Sequence, residues 1–136
     1  MTPKTITDSL SVSTQIEPEN VAQIKELGFK AIICNRPDGE AADQANFAAI
    51  QAAAETAGLE TRFLPIISGH MTEQDVVAFG KALEELPGPV FAYCRTGTRC
   101  ATVWALSQAN SRPVEDILKD SAAAGYDLRP VFGIAG

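Results

Sequence analysis

The chain has 136 residues, 46% of them hydrophobic and 21% charged, a composition that suits one globular domain with its own core and excludes a disordered segment. Its formal charge of −6 speaks against nucleic acid or an anionic membrane as partner, since either needs a basic face to displace counterions. No apolar run approaches the roughly 20 residues of a membrane span and no signal-peptide pattern opens the chain, so a single cytoplasmic domain over residues 1–136 is expected.

Leu10 and Val12 alternate with Ser11 and Ser13, the period of a half-buried strand, and Leu10 to Ile16 is expected at a sheet edge. Pro18 opens a helix marked by Val21, Ile24 and Leu27, which Gly28 stops. Phe29 to Cys34 has the short apolar character of a buried parallel strand, and it breaks into the loop Asn35-Arg36-Pro37-Asp38-Gly39. An Ala-rich helix follows, with Phe47, Ile50 and Ala54 inward and Gly58 at its end, and Thr61 to Leu64 forms another strand before Pro65. After the loop Ser68-Gly69-His70, Thr72 and Asp75 make a capping pair for a helix that faces the core through Val76, Phe79, Leu83 and Leu86.

Pro87-Gly88-Pro89 ends that helix, and Val90 to Tyr93 is the next buried strand. Beyond the loop 94–99 a helix runs through Trp104 and Leu106 to about Asn110, and Pro113 begins the last one. Trp104, Phe79 and Phe47 read as core, and Glu84, Glu85, Glu115 and Asp116 as solvated helix faces. Strands alternating with helices predict an α/β fold, a mainly parallel sheet with helices on both faces. Ligands of such sheets bind at the carboxyl ends of strands, where Asn35 to Asp38 and Cys94 to Arg99 both lie.

The loop Cys94-Arg95-Thr96-Gly97-Thr98-Arg99 joins a strand to a helix, so its amide N–H groups form an anion-binding nest at a helix N-terminus. Gly97 supplies the backbone freedom of the tight turn. A cysteine in that field loses its proton more easily, because helix-end dipoles and the guanidinium groups of Arg95 and Arg99 favour the thiolate. Arg99 adds a planar fork of donors that matches two oxygens of a phosphoryl or sulfuryl group. Three cysteines, Cys34, Cys94 and Cys100, with one histidine, His70, suit neither a disulfide framework nor a usual zinc site, and no metal or cofactor is expected.

Three stretches carry a family likeness: Leu-Ser-Val-Ser-Thr-Gln-Ile near the start, Ile-Ile-Cys-Asn-Arg-Pro-Asp-Gly-Glu, and Tyr-Cys-Arg-Thr-Gly-Thr-Arg. Over most of its length the chain resembles the phosphatase-like domain of the beta-lactamase-hydrolase-like proteins, similar in fold to dual-specificity phosphatases. The resemblance implies that Cys94 is the nucleophile and Arg99 the phosphate clamp, with the amides of Arg95, Thr96, Gly97 and Thr98 as the cradle. Two features depart from the phosphatase pattern. Four residues separate Cys94 from Arg99 instead of five, as in rhodanese-type sulfurtransferases, and Cys100 stands where a serine or threonine is usual. Cys100 reads as a packing residue at a helix start or, alternatively, as a resolving cysteine.

A phosphatase needs an acid for its leaving oxygen. Related enzymes carry it in the loop that here runs from Pro65 to His70 and holds no carboxylate, so Asp38 is the first candidate and Glu40 the second. Pro37-Asp38-Gly39 is equally a favoured turn. Arg36 either draws in an anion or is solvated in an exposed turn, and His70 is expected to be solvated, with an acid role as its alternative. The leading expectation is a phosphatase-like hydrolase acting through a Cys94 phosphocysteine on a small anionic or phosphorylated substrate. The alternatives are a sulfurtransferase working through a Cys94 persulfide and a non-catalytic anion-binding module. In the fold it resembles, the strands of Cys34 and Cys94 are neighbours, so Cys34 and Cys100 are the candidate disulfide partners of an oxidised Cys94.

Overall fold

The computed structural model describes residues 1–134. Strands β1 (Lys4–Thr7), β2 (Leu10–Ser13), β3 (Ala31–Cys34), β4 (Glu60–Phe63) and β5 (Val90–Tyr93) form one sheet in the order β1-β2-β5-β3-β4. β1 runs antiparallel to β2, and β2, β5, β3 and β4 are parallel neighbours in turn. The predicted α/β architecture is therefore present. One expectation is corrected: β2 is an interior strand, because β1 covers its outer side and all four of its residues are buried. The segment Lys-Thr-Ile-Thr buries only Ile6, too little apolar pattern to announce a strand in the sequence.

The pleat distributes the core to two faces, as a period of two requires. On one face Ile32, Phe91 and Tyr93 meet α1 (Val21–Glu26) and α2 (Phe47–Ala57). On the other Ile33, Val90 and Ala92 meet α3 (Glu73–Glu85), α4 (Thr98–Gln108) and α5 (Val114–Ala123). Phe47, Phe79 and Trp104 are buried as expected. Leu27 is not: it closes α1 as its C-cap and stays exposed.

Local signals set the helix ends. The Asn46 side chain accepts the Ala49 N–H at the start of α2, and Gly58 closes that helix with φ 82°, a left-handed conformation suited to glycine. At α3 the Thr72 hydroxyl accepts the Asp75 N–H at 3.1 Å and the Asp75 carboxylate accepts the Thr72 N–H at 2.9 Å. α4 differs, for its N-cap is Gly97 and no side chain caps it. The Thr98 N–H reaches the Thr96 hydroxyl at 3.4 Å, and the N–H groups of Arg99 and Cys100 serve the Cys94 sulfur at the carboxyl end of β5. Among the described residues no helix is long and apolar enough to cross a membrane.

Thr72→Ala removes one half of the capping box and is expected to lower stability by about 1 kcal/mol in urea unfolding, while Thr72→Ser keeps most of it. An unchanged midpoint for Thr72→Ala would show that the box contributes nothing.

Candidate active site

The parallel sheet brings the carboxyl ends of β3 and β5 to one edge, and the Asn35 N–H donates to the Tyr93 carbonyl at 2.9 Å. The Cys94 N–H donates to Ser13 O at 3.3 Å, so the chain leaves β5 through a held residue and turns at Gly97 into α4. Gly97 has φ +86°, and a Cβ there would lie 2.2 Å from the Tyr126 hydroxyl oxygen. Any other residue would be strained and would collide. Tyr126 caps the loop from outside, its hydroxyl donating to Thr96 O at 3.2 Å.

Cys94 is fully buried, and its sulfur accepts the Gly97 N–H at 3.1 Å. Its pKa is held down to about 5, first by the hydrogen bond from the Cys100 side chain and then by the backbone N–H groups of Cys100, Thr96 and Arg99, which together outweigh burial. Cys100, itself fully buried on the first turn of α4, has its own pKa pushed up by burial and by that same contact. One thiol thus stays protonated to stabilise the other as a thiolate. Cys100 is thus among the causes of the low Cys94 pKa, for which the sequence offered only dipoles and arginines.

Cys34 is different. Its strand is the neighbour of β5, as expected, but it shares a face with Tyr93, its register partner, whereas Cys94 belongs to the opposite core. Burial pushes its pKa up to about 11, and its S–H donates to Arg36 O at 3.3 Å. The pleat turns the two side chains to opposite faces of the sheet, yet the strands are neighbours as expected and the charge of Cys94 still bears on Cys34.

Arg99 is braced. Its Nη1 and Nη2 donate to Glu40 Oε2 and Oε1 at 2.7 and 2.8 Å, and Nη1 also donates to Ile66 O at 2.9 Å. A guanidinium has five N–H donors. The Nε–H and the second Nη2 proton, which share the opposite edge of the fork, take no partner among the described residues. That edge suits two oxygens of a tetrahedral anion.

Glu40 also accepts Arg36 Nε at 2.8 Å, and Arg36 Nη1 reaches Gln15 Oε1 at 3.1 Å. The two guanidinium groups, Arg99 foremost, hold the Glu40 carboxyl down to about pKa 2. Arg36 is buried, which corrects the expectation of a solvated turn residue. Gln44 fixes the loop by accepting the Glu40 N–H at 3.1 Å and donating to Pro37 O at 2.9 Å.

These groups line an open cavity of about 460 Å³, whose walls include Arg36, Glu40, Ser68, Arg95, Thr96 and Arg99. Cys94 is fully buried and not part of that wall, which is lined by the residues that follow it, Arg95, Thr96 and Thr98. Asp38, the first candidate for the acid, is not in the wall: it is exposed and accepts the Phe47 N–H at 2.8 Å, capping α2. His70 is exposed and also outside it. Glu40, the second candidate, is in the wall, but an ionised carboxylate braced by two arginines holds no proton to give at neutral pH. The four-residue spacing of Arg36 and Glu40 was the available signal for that pair. Nothing in the sequence pointed to Tyr126.

Residues 3–111 match the family described as the phosphatase-like domain of beta-lactamase hydrolase-like proteins. The chain is 38% identical over 125 residues to the beta-lactamase hydrolase-like protein of Xylella fastidiosa (strain Temecula1), an alignment covering 90% of the chain and 29% of that protein. It therefore spans under a third of that relative's length. A crystal structure of a candidate phosphatase from Neisseria meningitidis Z2491 superposes with a TM-score of 0.83 at 36% identity, over 93% of this chain and 91% of that one. Tk-PTP in its active form superposes with a TM-score of 0.73 at 17% identity, over 92% and 85% of the two chains, a likeness of fold. The fold is that of the cysteine phosphatases.

The thiol environments predict selective chemistry. Iodoacetamide should alkylate Cys94 at a rate that rises through about pH 5 as the thiolate forms and is flat beyond about one unit above it, while Cys34 stays unmodified at neutral pH. Peptide mass spectrometry against pH checks this, and faster labelling of Cys34 or Cys100 at pH 6 would remove Cys94 as the nucleophile.

Proposed function

The chain belongs to the phosphatase-like domain family of the beta-lactamase hydrolase-like proteins, and on that premise we propose that it is a cysteine-dependent phosphatase-like hydrolase. The observation that carries the reading is a buried thiol with a pKa of about 5, set in a ring of N–H donors beside a braced arginine with one free edge.

The Cys94 thiolate attacks phosphorus in line, forming an S–P bond as the bond to the leaving oxygen breaks and that oxygen keeps the electron pair. The amides of Arg95 to Thr98 and the Nε/Nη2 edge of Arg99 hold the three equatorial oxygens. Water then attacks the phosphocysteine, the S–P bond breaks, and Cys94 leaves as the thiolate that Cys100 and the amides stabilise. Glu40 acts as the brace that aims Arg99.

A second reading has two observations in its favour, the four-residue loop and, among the described residues, a cavity wall without a protonated carboxyl or a histidine. In it Cys94 attacks the sulfane sulfur of thiosulfate. An S–S bond forms as another breaks, and sulfite departs with the electron pair as a stable anion. The persulfide then passes its sulfur to a thiol or cyanide.

Purified protein offered an aryl phosphate, and separately thiosulfate with cyanide, distinguishes the readings. The expected result is phosphate release that Cys94→Ser abolishes and that Arg99→Ala lowers by about 10²–10³-fold. Thiocyanate formation without phosphate release would establish sulfur transfer instead, and sulfate or tungstate binding without either turnover would leave an anion-binding module.

A further inference from the structure

We propose that the cavity is specific for phosphoanhydrides over alkyl phosphate monoesters, with Arg95 holding the phosphate that departs. The proposal rests on the reading of Cys94 as a phosphoryl acceptor.

An alkoxide leaves only with a proton, and an enzyme that positions an acid for it gains about 10²–10⁴-fold. Among the described residues, no carboxyl or histidine that lines this cavity fills that role. Glu40, its carboxylate, accepts three charged hydrogen bonds from Arg36 and Arg99 and is ionised. Asp38 and His70 stand outside the wall, Asp38 capping α2. The Cys100 proton lies on the sulfur that supports Cys94, and the Tyr126 hydroxyl is committed to Thr96 O. The remaining polar wall consists of arginines and the hydroxyls of serine and threonine, which are neutral and weakly acidic.

A phosphate leaving group needs no such acid, since it departs as a stable anion. What it needs is a cation, and the cavity has one to spare. Arg36 and Arg99 are both tied to Glu40, whereas Arg95 is exposed, lines the cavity and makes no ion pair among the described residues. It follows Cys94 directly in the chain and lines the same cavity as Arg99, the placement a cation needs to meet a second phosphate attached to the one under attack. In a chain of formal charge −6 this pairing of a braced and an uncommitted arginine is a local positive site, and a cavity of about 460 Å³ has room for more than one phosphate.

The chemistry balances without a further reagent. The Cys94 thiolate forms an S–P bond as the P–O–P bridge breaks, and the bridging oxygen leaves with the electron pair as orthophosphate. Water attacks the phosphocysteine, its O–P bond forms as the S–P bond breaks, and the proton it sheds passes to solvent or to the released phosphate.

The test compares inorganic pyrophosphate, p-nitrophenyl phosphate and 2-glycerophosphate as substrates of the purified chain, with Cys94→Ser as control and phosphate or nitrophenol release as readout. The expected kcat/KM for pyrophosphate exceeds that for 2-glycerophosphate by at least about 100-fold, the span an absent acid implies. Arg95→Ala should lower the preference for pyrophosphate over p-nitrophenyl phosphate by about tenfold or more, the worth of one charge-assisted contact. Asp38→Asn and His70→Gln should leave the ratio of pyrophosphate to 2-glycerophosphate unchanged. Comparable Cys94-dependent cleavage of 2-glycerophosphate, loss of it on Asp38→Asn or His70→Gln, turnover of p-nitrophenyl phosphate without pyrophosphate, or an unaltered preference in Arg95→Ala would each overturn the proposal while the phosphatase reading stands. No Cys94-dependent release from any of the three would overturn both.

Discussion

A thiolate buried away from water persists only if the protein supplies the hydrogen bonds that water would have given, and most of the candidate site follows from that requirement. Cys94 has no solvent exposure, yet its pKa is depressed to about 5. The donors come from the first turn of α4 and the loop before it, where the N-cap is Gly97 and offers no side-chain oxygen to compete with the sulfur for them. Gly97 makes the turn that aims them, and Tyr126 leaves it no room to be anything else. Cys100 supplies the remaining donor by staying protonated. Its high pKa and the low pKa of Cys94 are two sides of one contact.

The cation of the site is organised by the same economy. An arginine free in solution samples many rotamers, whereas Arg99 is fixed along one edge by Glu40 and at one corner by Ile66 O, so its open edge is pre-formed. Glu40 is fixed in turn by Arg36 and by the turn that Gln44 closes. Two loops from the ends of β3 and β5, separated by more than fifty residues in the chain, thereby form one rigid wall. The brace has a chemical consequence, for a carboxylate that anchors two guanidinium groups is lost as a proton donor. Both proposed readings meet that loss in the same way, with a leaving group that departs as a stable anion: phosphate from an anhydride or sulfite from thiosulfate.

Much of this was legible in the sequence because it is local. Val90 to Tyr93 followed by a Gly-containing loop and a helix located the strand-loop-helix turn that holds Cys94, and the Thr72–Asp75 pair located a helix start. Contacts between distant segments were not legible. Nothing in Arg-Pro-Asp-Gly-Glu distinguishes Asp38, which caps α2, from Glu40, which clasps Arg99, since both are carboxylates in one turn. The adjacency of β3 and β5 followed from the family likeness, but the face on which Cys34 lies depended on a register that a one-residue shift would reverse. β1 was missed because a single buried isoleucine among exposed polar residues gives no period to read.

On the proposed reading the Cys94 sulfur becomes covalently bonded to the transferred group. Rapid acid quench during turnover of an aryl phosphate, followed by peptide mapping under conditions that preserve S–P bonds, tests it directly. The expected result is a phosphoryl group on the peptide that carries Cys94, absent in Cys94→Ser. Steady turnover with Cys94 unmodified at every quench time, or with the phosphoryl group on another residue, would contradict it.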